Sequence, residues 1–356
     1  NIRLMKERIA FLDVMRVIAC FMVIMIHSCE FFFIDDNNIG IQNMRDGFWV
    51  SVIDSAFRCS VPLFVMISSF LLVPVKTDTR VFFHRRLLRV VVPFTLWSIF
   101  YATLPYLWGD MTATGVMESI SHLAYNFNAS SGHMWFVYML IGLYLFMPII
   151  SPWLEKTGKN GELCFLTLWF ISSFFPYVRN FVGEIYGECY WNEYNMLWYF
   201  SGFMGYVVLA HYIRHHLQWT FKKSIGIGTM LYIIGYCVTA LIWYNRIPTA
   251  TTLQELELSW RFCTPNVILM SFGAFIVIQS IFSKYRKGNR IVNEISILSY
   301  GIYLMHIFVL GVVHSQFKDI FPTQWTIILV GTVTFVICCI ITKIISFLPF
   351  SKYIIG

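Results

Sequence analysis

Ten apolar segments, each close to the length that crosses a bilayer, recur along this chain and restrict what it can fold into. A helix needs about 20 apolar residues to span the hydrocarbon core of a membrane. The candidate spans are residues 9–33, 48–74, 88–108, 133–151, 163–178, 194–212, 224–244, 263–282, 293–315 and 325–348. The pattern predicts an all-α polytopic membrane protein, a bundle of about ten transmembrane helices.

The composition supports the same class of protein. Of 356 residues, 58% are hydrophobic and only 13% are charged, whereas soluble proteins are about a quarter charged. No polar stretch is long enough to be a linker, so we expect one transmembrane domain over residues 1–356. The net charge of +7 does not indicate nucleic-acid binding, because the basic residues cluster beside the apolar spans.

The positions of the basic residues predict the orientation in the membrane. Loops on the cytoplasmic side are enriched in Lys and Arg. If both termini are cytoplasmic, the inner segments hold 19 of the 26 basic residues and the membrane holds Arg16 and Arg58. The outer segments hold the remaining five: Arg45, Arg179, Arg246, Arg261 and Lys318. We therefore predict cytoplasmic termini, and we see no internal repeat of the kind that many transporters show.

The nine cysteines do not indicate a disulfide framework or a zinc site. They are Cys20, Cys29, Cys59, Cys164, Cys189, Cys237, Cys263, Cys338 and Cys339. None forms a CxxC pair, and nearly all lie within apolar runs. We expect most of them to be small residues of the membrane core, and we expect no metal.

The first span carries charges that hydrocarbon disfavours. Arg16 and His27 are 11 residues apart, which places them on one helix face at a separation of about 16 Å. Asp13 lies one turn before Arg16 and can pair with it, and Glu30 lies one turn beyond His27 and can orient its imidazole. Such a polar stripe must face protein or water. A structural role for the stripe stays open beside a catalytic one.

A second basic cluster lies at the start of the third span. Arg86 and Arg89 are three residues apart and share a helix face, and Arg85 is one turn from Arg89. Guanidinium groups bind phosphate oxygens in a bidentate manner, so the cluster is a candidate phosphate site on the cytoplasmic side. Ordinary anchoring of the helix end is the alternative interpretation.

These motifs resemble those of the acyltransferase-3 family of bacterial integral-membrane O-acyltransferases. The resemblance starts with "LDVMR" (Leu12 to Arg16), which is followed by His27, and with "RLLR" (Arg86 to Arg89). Three weaker phrases follow in family order: "VPLFVMISSFLL" from Val61, "HMWFVYMLIGLYLFMP" from His133, and "SYGIYLMH", which ends at His306. The chain has Ser68-Ser69 where the family usually has Ser-Gly. The similarity spans most of the chain.

The resemblance implies transfer of an acyl group, usually acetyl, from cytoplasmic acyl-CoA to a hydroxyl of an envelope sugar, polysaccharide or lipid-linked glycan. By the same resemblance, His27 is the catalytic histidine, and Arg16, Arg86 and Arg89 face acyl-CoA. Arg85 joins them as a cofactor-binding candidate, and Glu30, Arg16 and His306 complete the catalytic candidates. The implied location is the bacterial inner membrane. No part of these residues resembles the appended esterase-like periplasmic domain of some family members.

Several features leave alternatives open. His306 either lines the site or packs in the bundle, and we expect His133 to be interfacial, beside Trp135. We interpret residues 211–216, "HYIRHH", as an interfacial basic patch, since they lack an HExxH pattern. Arg58 has a candidate partner in Asp54, one turn away. A transporter or flippase of a lipid-linked sugar is the alternative function, and a homo-oligomer is left open.

Overall fold

The computed structural model describes residues 9–36, 38–183, 194–284 and 288–356, and these residues are almost entirely helical. The α-helices are α1 Ala10–Glu30, α2 Met44–Phe57, α3 Ser60–Leu72, α4 Thr79–Trp108, α5 Ala113–His122, α6 Trp135–Ser172, α7 Phe175–Val182, α8 Met204–His216, α9 Phe221–Arg246, α10 Leu253–Leu256, α11 Pro265–Phe282, α12 Arg290–Phe317, α13 Thr323–Ile345 and α14 Ser351–Ile354. A two-stranded antiparallel hairpin, β1 Ile34–Asp35 and β2 Asn38–Ile39, follows α1. Short 3₁₀ helices cover Ala129–Met134, Asn195–Phe200 and Glu257–Trp260.

The expectation of an all-α polytopic membrane protein is confirmed. Within the described residues, eight helical segments are long and apolar enough to cross a membrane. One of them, residues 130–182, contains both the fourth and the fifth predicted spans, which are separated by a break at Gly158 with φ of 66°. The sixth predicted span is occupied by a 3₁₀ segment and the 13-residue helix α8. The eight long segments therefore account for nine of the ten predicted spans.

Two predicted boundaries were wrong. The second span begins at Met44, earlier than predicted, and is broken at Arg58 and Cys59 between α2 and α3. The third begins at Thr79, where the Asp78 side chain accepts hydrogen bonds from the N–H groups of Arg80 and Val81 and caps the helix. Because capping residues lie outside the apolar run, hydropathy alone placed this start too late.

Helix α1 runs through the middle of the bundle and contacts α2, α3, α11, α12 and α13. Its Leu12, Met15 and Ala19 are buried in the main hydrophobic core. Ser69 of α3 stands where glycine is usual in the family that the motifs resemble, and it is fully buried with its hydroxyl donating to the Val65 carbonyl at 2.8 Å. Of the polar stripe of α1, the Asp13 side chain is buried, those of Arg16 and His27 are partly buried, and that of Glu30 is 37% exposed.

Helices α9 and α11 approach each other most closely at glycines. A Cβ on Gly273 would lie 2.4 Å from the carbonyl oxygen of Gly228, so both backbones come into contact there. Close backbone approach through small residues is a common way to pack membrane helices. This pair lines part of the apolar groove described below.

Some sequence predictions fall on residues outside the described ranges. They concern the basic residues Arg3, Lys6, Arg8, Arg286 and Lys287 of the inner segments, and Cys189. The other eight cysteines are free thiols, and Cys20, Cys29, Cys59 and Cys338 among them are buried.

Candidate active site

At one end of α1, Asp13 and Arg16 pair as the sequence predicts. Arg16 Nη1 lies 3.9 Å from Asp13 Oδ1. Ser296 of α12 bridges the two, because its hydroxyl donates to Asp13 Oδ1 at 2.6 Å and accepts from Arg16 Nη1 at 3.1 Å. The bridge holds the guanidinium against α12, whose contribution the sequence pattern did not indicate.

Arg16, Arg86 and Arg89 converge on one cavity of about 290 Å³, which we call the basic cavity. Its remaining wall includes the aromatic and hydroxyl side chains of Ser68, Tyr144 and Tyr300. Arg86 and Arg89 come from about two turns inside α4 and not from its first turn. The structure thus brings the arginines of the two sequence motifs, on α1 and α4, to the wall of one cavity.

Arg85 does not line this cavity. Its side chain is exposed, and it is not among the residues that line the basic cavity. Successive residues on a helix are rotated by about 100°, so Arg85 and Arg86 face different directions. The expectation that Arg85 binds the cofactor together with Arg86 receives no support from the geometry.

At the other end of the stripe, His27 and Glu30 form a hydrogen bond. His27 Nδ1 and Glu30 Oε1 are 2.8 Å apart. An ionised carboxylate accepts and cannot donate, so with Glu30 ionised the bond requires the Nδ1–H tautomer, which leaves Nε2 to accept a further proton. The side chain of His27 is 17% exposed and that of Glu30 is 37% exposed. The hydrogen bond to Glu30 can fix the orientation of the imidazole.

Three histidines from three helical segments meet at this point. The His27 ring centroid lies 5.1 Å from that of His306 and 6.4 Å from that of His133, and the rings of His133 and His306 are 5.0 Å apart. His306 Nδ1 donates to the Tyr303 carbonyl. Among the described residues, Nε2 of His306 has no hydrogen-bond partner. The cluster therefore contains an unsatisfied buried imidazole nitrogen, which is rare in ordinary cores.

The burial of His133 in the protein was not expected from the sequence. Its side chain is only 6% exposed, and Tyr303 donates a hydrogen bond to its backbone carbonyl. Residues 129–134 form a 3₁₀ turn that folds back into the bundle before α6 begins. Hydropathy placed His133 at the end of a span, but it could not predict that the side chain of His133 is buried.

His27, Glu30 and His133 line a second cavity, of about 190 Å³, which we call the histidine cavity. Phe64, Phe136 and Tyr303 line both this cavity and the basic cavity. Phe136 contacts both of the other rings, at centroid distances of 6.1 Å and 5.5 Å. An aromatic partition of these three side chains thus lies between the basic cavity and the histidine cavity.

Arg58 lies on the far side of the histidine cavity. Its Nε donates to Asp54 Oδ1, which confirms the predicted pair, and its guanidinium lies 4.1 Å from the ring centroid of Trp260. Arg58 lines both the histidine cavity and a further one of about 350 Å³, the outer cavity, together with Trp135, Glu257 and Phe262. The break between α2 and α3 allows this buried arginine to face two cavities.

Within residues 211–216, Arg214 and His215 are exposed, but His211 and His216 bind a buried carboxylate that the sequence did not indicate. Glu162 of α6 is fully buried, and its Oε1 accepts from His211 Nδ1 and His216 Nε2, each at 3.0 Å. His211 itself is 4% exposed. The histidines connect α8 to α6, 49 and 54 residues away in sequence, which no local pattern could indicate.

The fold and these cavities define a multi-pass membrane protein in which a basic cavity adjoins a cavity lined by a carboxylate-bound histidine. The family model described as an acyltransferase domain, acyltransferase-3, matches residues 9–343. The chain therefore belongs to the acyltransferase-3 family, and membership implies acyltransferase activity. Comparison with curated proteins and with solved structures gave no significant match.

Proposed function

We propose that the protein is an O-acetyltransferase of the bacterial inner membrane. It transfers an acetyl group from cytoplasmic acetyl-CoA to a hydroxyl of an envelope sugar, polysaccharide or lipid-linked glycan. The observation that carries the proposal is the pair of adjoining cavities, one with Arg16, Arg86 and Arg89 and the other with His27 and Glu30. The family match gives no support to a transporter.

The basic cavity fits the donor. CoA carries a diphosphate and a 3′-phosphate, and guanidinium groups are suited to both because they bind phosphate oxygens with parallel hydrogen bonds. Arg86 and Arg89 hold the phosphates at the cytoplasmic opening of the basic cavity. Arg16, which is fixed by Asp13 and Ser296, lines the same cavity, through which the rest of the CoA molecule extends toward His27. The narrow pantetheine arm then passes the aromatic partition and carries the thioester toward His27.

The histidine cavity fits the chemical step. His27 Nε2 removes the proton of the acceptor hydroxyl while the oxygen attacks the thioester carbonyl carbon. The resulting imidazolium is stabilised by the Glu30 carboxylate at 2.8 Å. When the tetrahedral intermediate collapses, the C–S bond breaks and the thiolate takes the proton from His27. The products are the O-acetyl ester and CoA, and the histidine is regenerated.

An acetyl-histidine route uses the same groups in a different order. Nε2 attacks the thioester first, CoA leaves, and the acceptor hydroxyl then takes the acetyl group. Rapid quenching of purified protein with radiolabelled acetyl-CoA, in the absence of acceptor, distinguishes the two. Label that stays on the protein and is lost in His27→Gln indicates the covalent route, and unlabelled protein indicates general-base catalysis.

Two experiments test the proposal as a whole. Calorimetry on the detergent-purified protein should detect binding of acetyl-CoA, and absence of binding of any acyl-CoA would contradict the donor assignment. Mass spectrometry of envelope glycans from cells with and without the protein should detect an acetyl group that depends on it. Identical glycans under conditions where the protein is expressed would contradict acceptor transfer.

A further inference from the structure

Three arginines converge on the side of the bundle that the charge distribution places outside. Only five Lys or Arg residues are predicted in the outer segments, and Arg179, Arg246 and Arg261 among them line one cavity of about 410 Å³. Basic residues are depleted on this side of bacterial membrane proteins, so they are not needed there as anchors. Their meeting in one cavity therefore indicates an anionic ligand.

The cavity is organised before any ligand binds. Arg246 Nε donates to the Glu255 carbonyl at 2.6 Å and its Nη1 donates to Asn180 Oδ1 at 3.1 Å, which fixes the guanidinium. The acidic side chain in the wall, Glu255, has its Oε2 engaged by the N–H and the hydroxyl of Thr251, at 2.8 Å and 2.9 Å. One carboxylate among three guanidinium groups leaves the cavity with net positive charge.

An apolar groove of about 400 Å³ adjoins this cavity and shares Asn180, Arg246 and Leu258 with it. Its walls come from α6, α7, α9 and α11, and their apolar side chains include Phe174, Phe181, Ile234, Val238, Ile242 and Leu269. Phe181 is 84% exposed. A positive cavity continuous with an apolar groove at the membrane is complementary to a phosphate joined to a hydrocarbon chain.

The same cavity also connects toward His27. We call the cavity lined by Arg179, Arg246 and Arg261 the arginine cavity. Arg261 also lines the outer cavity. The outer cavity in turn shares Arg58, Trp135, Glu257 and Phe262 with the histidine cavity. A group attached to a phosphate bound at Arg261 would therefore extend toward the proposed base.

We propose that the acceptor binds as a lipid-linked sugar phosphate. Arg179, Arg246 and Arg261 hold its phosphate, the apolar groove holds its hydrocarbon chain, and its sugar extends through the outer cavity to His27. The assignment rests on the proposed acetyl transfer and selects one acceptor class: a sugar carried on a membrane lipid through phosphate.

The test measures binding to the whole purified protein in phosphatidylcholine nanodiscs. Farnesyl diphosphate is the probe, with pyrophosphate supplying the head alone, farnesol the chain alone, and phosphatidylglycerol a general anionic lipid. Arg179→Gln and Arg261→Gln remove phosphate contacts, and Val238→Trp fills the groove. Arg45→Gln is the matched control, since Arg45 is an exposed outer arginine that does not line the cavity.

Farnesyl diphosphate should bind more tightly than pyrophosphate, farnesol or phosphatidylglycerol. Each arginine variant should weaken its binding about tenfold, as expected for loss of one hydrogen bond to a charged group. Val238→Trp should weaken the binding of farnesyl diphosphate but not that of pyrophosphate. Arg45→Gln should leave the affinity for both ligands unchanged. Equal binding of phosphatidylglycerol, or equal affinity in wild type and both arginine variants, would overturn the proposal.

Acetyl-CoA binding separates this inference from the proposed function. The outer variants should bind acetyl-CoA like wild type, because the basic cavity lies beyond the aromatic partition. If the wild type binds acetyl-CoA but binds farnesyl diphosphate no more tightly than pyrophosphate, farnesol or phosphatidylglycerol, the lipid-linked acceptor alone is refuted. Failure of the wild type to bind acetyl-CoA would refute the proposed function itself.

Discussion

Substitution of Glu30 by Gln tests whether the carboxylate acts on the reaction through His27. The change keeps the size of the side chain and an oxygen that can accept from Nδ1, but it removes the negative charge. A hydrogen bond to a charged group is worth about 1.5–3 kcal/mol. Because Glu30 is 37% exposed, solvent screens part of its charge and the lower end of that range applies. At about 1.4 kcal/mol per factor of ten, the rate should fall about tenfold.

His27→Gln should have a much larger effect, because it removes the base itself. A positioned general base contributes a factor of about 100 to 10,000 in rate. If Glu30 acts only through His27, the double variant should be no slower than His27→Gln alone, and the two losses will not add.

The assay is the initial rate of transfer of radiolabelled acetyl from acetyl-CoA into the glycan fraction of inverted membrane vesicles. Acetyl-CoA affinity, measured in parallel, should stay at the wild-type value in all three variants, since His27 lies about 16 Å along the helix from Arg16. A rate within threefold of wild type in His27→Gln would refute the role of the histidine. A double variant slowed by the product of the two single losses would refute the coupling.

Three further predictions concern the arginines and the orientation. Calorimetry should show that Arg86→Ala weakens acetyl-CoA binding about tenfold or more and that Arg85→Ala does not. Equal losses of affinity in the two variants would indicate that the arginine cluster only anchors the end of the helix. Arg58→Leu leaves the fully buried Asp54 without its cation, so the free energy of unfolding should fall by about 3–5 kcal/mol, which thermal unfolding in detergent checks. A cysteine replacing Asn289, in a background without exposed cysteines, should react with an impermeant thiol reagent only after the cells are permeabilised; reaction in intact cells would reverse the orientation.

The sequence by itself determined the class of fold, because hydropathy and helix length are local properties of the chain. It also indicated the contacts within one helix, Asp13 with Arg16 and His27 with Glu30, since the 3.6-residue period fixes which side chains share a face. The convergence of Arg16 with Arg86 and Arg89 came from a family pattern and not from this periodicity.

Only the tertiary structure decided which helices supply the rest of the site. Ser296 reaches Asp13 across 283 positions of sequence, and His133 enters the histidine cluster through a buried turn. It also separated Arg85 from Arg86, although the two are adjacent in sequence. Packing between helices depends on the shapes of whole surfaces in three dimensions, and a one-dimensional pattern of polar and apolar residues does not contain that information.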